Sequence, residues 1–175
     1  MRGAATSILS LSLIWLATSP LHAKSDTAKI TIKGASLPSA VEITDQQIRQ
    51  FSVWAGPGIR INGAEQFEGF IINWRQGAVE QIPEDLRRVE VSFYAGTADQ
   101  QPIYIVPYAY NPLTGEGYVY LPGKGDESYT RNAATIVHGA QWEGHWFRAT
   151  SAWETFVRPL IARARSASMS SRVHF

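Results

Sequence analysis

The chain has 175 residues, with 16 Lys plus Arg against 15 Asp plus Glu, no cysteine, 45% hydrophobic residues and 18% charged ones. That balance excludes a disordered chain, and the missing thiols exclude a disulfide scaffold, a zinc-thiolate site and a cysteine nucleophile. A formal charge of +1 supplies no basic surplus for a nucleic-acid face.

The N-terminus has the parts of an export signal. Arg2 precedes an apolar stretch, Ile8 to Ala17, then Ser19-Pro20 breaks any helix and Leu21-His22-Ala23 ends on the small residue that cleavage requires. The apolar stretch is shorter than the roughly 20 residues a membrane span needs. The expectation is a signal peptide over 1–23 and an exported mature chain, periplasmic or secreted, with no transmembrane segment. With no cysteine, a lipid-linked N-terminus is excluded. Residues 24–165 read as a single globular domain, and the serine-rich 166–175 as a flexible tail.

Within the domain the hydrophobic period is mostly two, the mark of strands. Ile30 and Ile32 alternate in Lys29–Lys33, as do Val41 and Ile43; Phe70 to Trp74 is a short apolar run, and Val89 to Ala95 opens on strict alternation. Pro102 to Tyr110 puts Tyr104, Val106, Tyr108 and Tyr110 on one face, and Tyr118 and Tyr120 follow across the turn at 111–115. These segments predict a Tyr-rich antiparallel hairpin, with Pro107 marking its first strand as an edge or a bulge. A second hairpin is expected between Ala134–Val137 and His145–Ala149.

Helical signals stand at the two ends of this pattern. Thr44 with Gln47 forms a capping box that opens a short helix through Phe51, and Ser151 with Glu154 forms another. After Ser151, Trp153, Phe156, Val157, Leu160, Ile161 and Ala164 make one apolar stripe at helical spacing, with Pro159 expected to kink it. The fold class expected is α+β: mainly an antiparallel β sheet or sandwich, with a short N-terminal helix and a C-terminal amphipathic helix packed on the sheet.

Catalytic signatures are absent from the sequence. It contains no G-x-S-x-G elbow, no S-x-x-K and no H-E-x-x-H, and Gly117 to Gly125 departs from the spacing of a phosphate loop. His138 and His145 with Glu143 match no metal-ligand spacing, so neither a metal nor a cofactor is expected. Asp126-Glu127, Glu84-Asp85 and Glu143 are carboxylates that could act in pairs. Aromatic residues carry more weight, because a ring with a hydroxyl or N–H handle buries apolar area while keeping polar contact. Five of the seven tyrosines fall between Tyr104 and Tyr120, Trp142 and Trp146 flank one loop, and Trp54 adjoins Ala55-Gly56-Pro57-Gly58. The binding residues expected are therefore Trp142, Trp54, Glu143, His145 and Asp126, with Trp142 the most exposed.

The segments Tyr118–Glu127 (YVYLPGKGDE), Phe51–Gly58 (FSVWAGPG) and Trp146–Trp153 (WFRATSAW) resemble small exported bacterial proteins of uncharacterised function. The resemblance implies an exported single domain and no particular activity. The leading functional expectation is a non-catalytic exported envelope protein that binds a cell-wall glycan, a peptide or a partner protein through aromatic-rich loops. One alternative is a small carboxylate-dependent hydrolase; another is an assembly subunit that uses the Tyr-rich hairpin as an exposed edge.

Overall fold

The computed structural model describes residues 26–53, 55–67, 69–96, 101–135 and 141–171. The expected signal peptide, Trp54 and His138 lie outside them. In chain order the strands are β1 (Thr27–Lys33), β2 (Val41–Ile43), β3 (Arg60–Ile61), β4 (Ala64–Glu65), β5 (Ala78–Val79), β6 (Arg87–Ala95), β7 (Tyr104–Tyr110), β8 (Gly117–Leu121) and β9 (His145–Arg148). Two α-helices, α1 (Tyr129–Thr135) and α2 (Ser151–Ser171), flank β9.

Apart from β3 and β4, which form a two-stranded ribbon, the strands build one antiparallel seven-stranded sheet in the order β2-β1-β6-β7-β8-β9-β5. Asn62 and Gly63 both adopt positive φ, 51° and 81°, which closes the β3–β4 ribbon with the backbone twist that tight hairpins require.

Period-two alternation decides the faces, since neighbouring side chains on a strand point to opposite sides. Ile30, Ile32, Val91, Phe93, Tyr104, Val106, Tyr108, Val119 and Phe147 are buried on the inner face. α2 lies against that face. Its Trp153 is 0% exposed and packs edge-on against Phe51 and Tyr108, with ring centroids at 5.3 and 5.8 Å, and beside Phe93 at 6.5 Å. Val157 and Ile161 continue the buried stripe through Pro159. Burying side chains of this size contributes about 1.5–3 kcal/mol each. The register then sends Tyr118 and Tyr120 to the outer face, because Val119 stands opposite Tyr108.

The expected antiparallel sheet with a C-terminal helix on it is present, as a sheet and not as a sandwich. Other expectations are corrected. The short N-terminal helix is a 3-10 segment at Gln46–Gln50, capped by Asp45, which accepts the Gln47 N–H at 2.7 Å, rather than by Thr44. Five residues are too few to sustain α-helical bonding, and the tighter turn suffices to bury Ile48. At α2 the cap is Thr150, whose Oγ1 accepts the Trp153 N–H at 3.2 Å and whose carbonyl accepts the Glu154 N–H at 3.1 Å. α2 also runs six residues beyond Arg165, to Ser171, with Ser166 donating back to the Ala162 carbonyl at 3.1 Å.

Of the second expected hairpin, Ala134 and Thr135 end α1 rather than form a strand, and Ile136 and Val137 lie outside the described residues. β9 instead pairs with β8, Tyr120 opposite Trp146, and with β5. The first hairpin is present, but β7 is interior, between β6 and β8. Pro107 is tolerated because β8 pairs only with Tyr108–Tyr110, leaving no strand to meet its missing N–H on that side. Asn132 of α1 takes the place of a strand there. Its side-chain amide accepts the Ile105 N–H at 2.8 Å and donates to the Ile105 carbonyl at 2.6 Å.

Candidate functional site

The outer face of the sheet divides in two: an apolar patch in which Leu86, Ala109 and Tyr118 are buried beside Val79, Ile82 and Trp146, and a polar part over β1, β6 and the start of β7. Register places Lys33 of β1 directly opposite Glu90 of β6, and Glu90 opposite Pro107 of β7. One step along β6, Arg88 stands opposite Ala109, which stands opposite Tyr118. Over these strands the turn after β8 and the start of α1 raise a wall, so that a cleft of about 690 Å³ opens between strands and turn. Lys33, Arg88, Glu90, Ile105 and Pro107 form its floor, and Asp126, Glu127 and Arg131 form its wall, with Tyr120 between them. Its volume falls within the range of about 300–1,000 Å³ usual for ligand sites.

A tightly braced turn positions the wall. The Asp126 N–H donates to the Gly123 carbonyl at 3.0 Å, while the Asp126 carboxylate accepts the Gly123 N–H at 2.7 Å and the Tyr120 hydroxyl at 3.0 Å. Partial burial, together with that bond, raises the Tyr120 pKa and keeps its hydroxyl a donor. Gly123 itself cannot carry a side chain, since a Cβ there would stand 2.8 Å from the Gly144 backbone. Arg131 donates to the Pro102 carbonyl at 3.2 Å, which ties the wall to the start of β7. On the floor, Ser92 donates to Glu90 at 3.3 Å, and the Arg88 guanidinium lies 5.8 Å from the Trp146 ring centre. Trp146 also meets Tyr120, at 5.2 Å, so an aromatic pair borders the cleft.

The structure distributes the expected site residues unevenly. Asp126 lines the cleft; Trp142, Glu143 and His145 do not. Trp142 is half-buried against Trp74 and Phe147, both at 6.1 Å, rather than the most exposed residue of its loop. Glu143 is a hydrogen-bond partner of the Tyr129 hydroxyl, which raises the Tyr129 pKa. His145 opens β9 opposite Leu121 and is exposed. Lys33, Arg88, Glu90, Tyr120 and Arg131 were not expected. Lys33, Arg88 and Glu90 had a visible signal, charges alternating with buried Ile32, Val89 and Val91, but no period in the sequence says that β1 lies beside β6.

A second polar cluster sits under α2. Tyr108 donates to Glu154 at 2.6 Å, and the other Glu154 oxygen is 3.4 Å from Arg158 Nε. Arg158 donates to the Asn111 carbonyl and lies 4.5 Å from the Tyr110 ring centre. Burial raises the Glu154 pKa, against the lowering effects of the Tyr108 bond and of Arg158. Burial likewise raises the Tyr108 pKa, helped by the Glu154 charge. The cluster joins sheet, hairpin and helix.

Among the described residues there is no group of three His, Asp or Glu that could hold a metal ion, and no helix is long and apolar enough to cross a membrane. Compared with protein-family models, with curated proteins and with solved structures, the chain matches none.

Proposed function

We propose that the protein is an exported, non-catalytic binding protein that holds its ligand in the outer-face cleft. The observation that carries this reading is a concave, mixed polar and apolar surface of about 690 Å³ on a rigid sheet, with an aromatic pair at its border. Binding fits better than hydrolysis. A carboxylate mechanism needs two acids free to act on one bond, whereas of the three cleft carboxylates Asp126 is engaged by the Gly123 N–H and the Tyr120 hydroxyl and Glu90 by Ser92, which leaves Glu127 without a second. The assembly alternative needed an exposed edge at Tyr104–Tyr110, and that strand has neighbours on both sides. Export is supported by Arg2, the Ile8 to Ala17 stretch and Ala23.

The test is an intrinsic-fluorescence titration of the protein with soluble cell-wall glycan oligomers and short unblocked peptides. At least one class binds, and Ile105→Arg, which places a long cation on the cleft floor, weakens that binding tenfold or more. If nothing in the panel binds, or if Ile105→Arg binds as the parent does, the cleft is not the site.

A further inference from the structure

Resting on that reading of the cleft, the placement of its charges narrows the ligand. The floor, built by β1 and β6, carries Lys33, Arg88 and Glu90, so cations prevail there. The wall carries Asp126, Glu127 and Arg131, so carboxylates prevail there. The ion pairs Arg148–Glu116 and Arg158–Glu154 lie away from the cleft. Among the described residues, none of opposite charge stands within ion-pair distance of Lys33, Arg88 or Glu127, which line the cleft. Half-buried Ile105 and Pro107 lie between the two sides, as an apolar strip on the floor.

We infer that the ligand is a short peptide with free termini, its carboxylate held by Lys33 and Arg88 and its ammonium by Glu127, beside the Asp126 Oδ1 that the bonds to Gly123 and Tyr120 leave open. A ligand of one sign is attracted by one side and repelled by the other, and a neutral sugar desolvates both sides without compensating either. A dipolar ligand satisfies both at once. Three extended residues span about 10 Å, and a peptide of that size suits a site of about 690 Å³. Bound this way, its small side chains lie over Ile105 and Pro107 while its ends reach the charged sides.

Calorimetric titration of the full chain with trialanine, N-acetyl-trialanine and trialanine amide tests the inference. Trialanine binds, and either cap weakens binding about tenfold, the size expected for losing one charge-assisted contact. Glu127→Gln weakens trialanine but leaves the acetylated peptide unchanged, and Lys33→Met weakens trialanine but leaves the amide unchanged. Both residues are exposed, and an unchanged circular dichroism spectrum checks that the variants fold. If capped and free peptides bind equally and Ile105→Arg still abolishes both, the dipolar ligand is overturned while the cleft stands. If neither the peptides nor the glycan oligomers respond to Ile105→Arg, the cleft reading has failed and this inference with it.

Discussion

At the scale of single residues, buried polar contacts replace backbone pairing where the sheet runs out of strand. Asn132 is 4% exposed and satisfies both the N–H and the C=O of Ile105. Asn132→Ala strips both partners from that backbone and costs about 1–3 kcal/mol, read as a lower midpoint in urea unfolding. An unchanged midpoint would mean that Ile105 finds other partners. Gly117 is fixed by space rather than by backbone conformation. A Cβ there collides with the Glu154 carboxylate and comes within 2.7 Å of the Tyr108 ring. Gly117→Ala therefore costs about 1–3 kcal/mol, and structure determination of the variant shows α2 or the Tyr108 ring displaced. A stable, undisplaced variant would contradict this packing.

Among the elements, α2 is held by one apolar anchor and one polar one. Trp153→Ala removes the ring that Phe51, Phe93 and Tyr108 surround and costs about 3–5 kcal/mol; thermal unfolding measures it. The polar anchor is sensitive to pH. Burial favours neutral Glu154, so the folded protein keeps that proton to higher pH than the unfolded chain does. Glu154 thus contributes stability that is full below its unfolded pKa and is lost as pH rises through the raised folded value. Relative to Glu154→Gln, the parent loses thermal stability over that rise, and parallel profiles of the two would refute the assignment. α2 was legible in the sequence because its stripe is local, six positions on one helical face. The β7–β8 hairpin was legible for the same reason. α1 was missed because Tyr129–Thr135 carries no periodic stripe of its own; Asn132 and its bonds to Ile105 hold it in place. β9 was read with the wrong neighbour because its partner β8 lies more than twenty residues earlier in the chain.

For the whole molecule, the cleft depends on contacts far apart in sequence. Of the residues expected to bind, Asp126 reached the cleft because its turn is local and strongly signalled by Gly123-Lys124-Gly125. Lys33 and Arg88 come together only because β1 lies beside β6, and that neighbour relation leaves no mark in composition or period. Trp142 was misjudged because glycines on either side of a loop suggest exposure, while Trp74 and Phe147 supply a surface for it to cover. Export belongs to this scale too. Expressed in full in a bacterial host, the protein is released by osmotic shock or found in the medium, with Lys24 at its N-terminus by mass spectrometry. An intact chain retained in the cytoplasm would refute export.

The central claim, a cleft that holds a dipolar peptide, is tested most directly by amide chemical-shift mapping of the isotopically labelled protein with trialanine. The account predicts saturable shifts concentrated at Lys33, Arg88, Ile105 and Glu127, with the hairpin tip at Leu113 and the end of α2 unmoved. Shifts centred away from those residues, or none at saturating peptide, would contradict it.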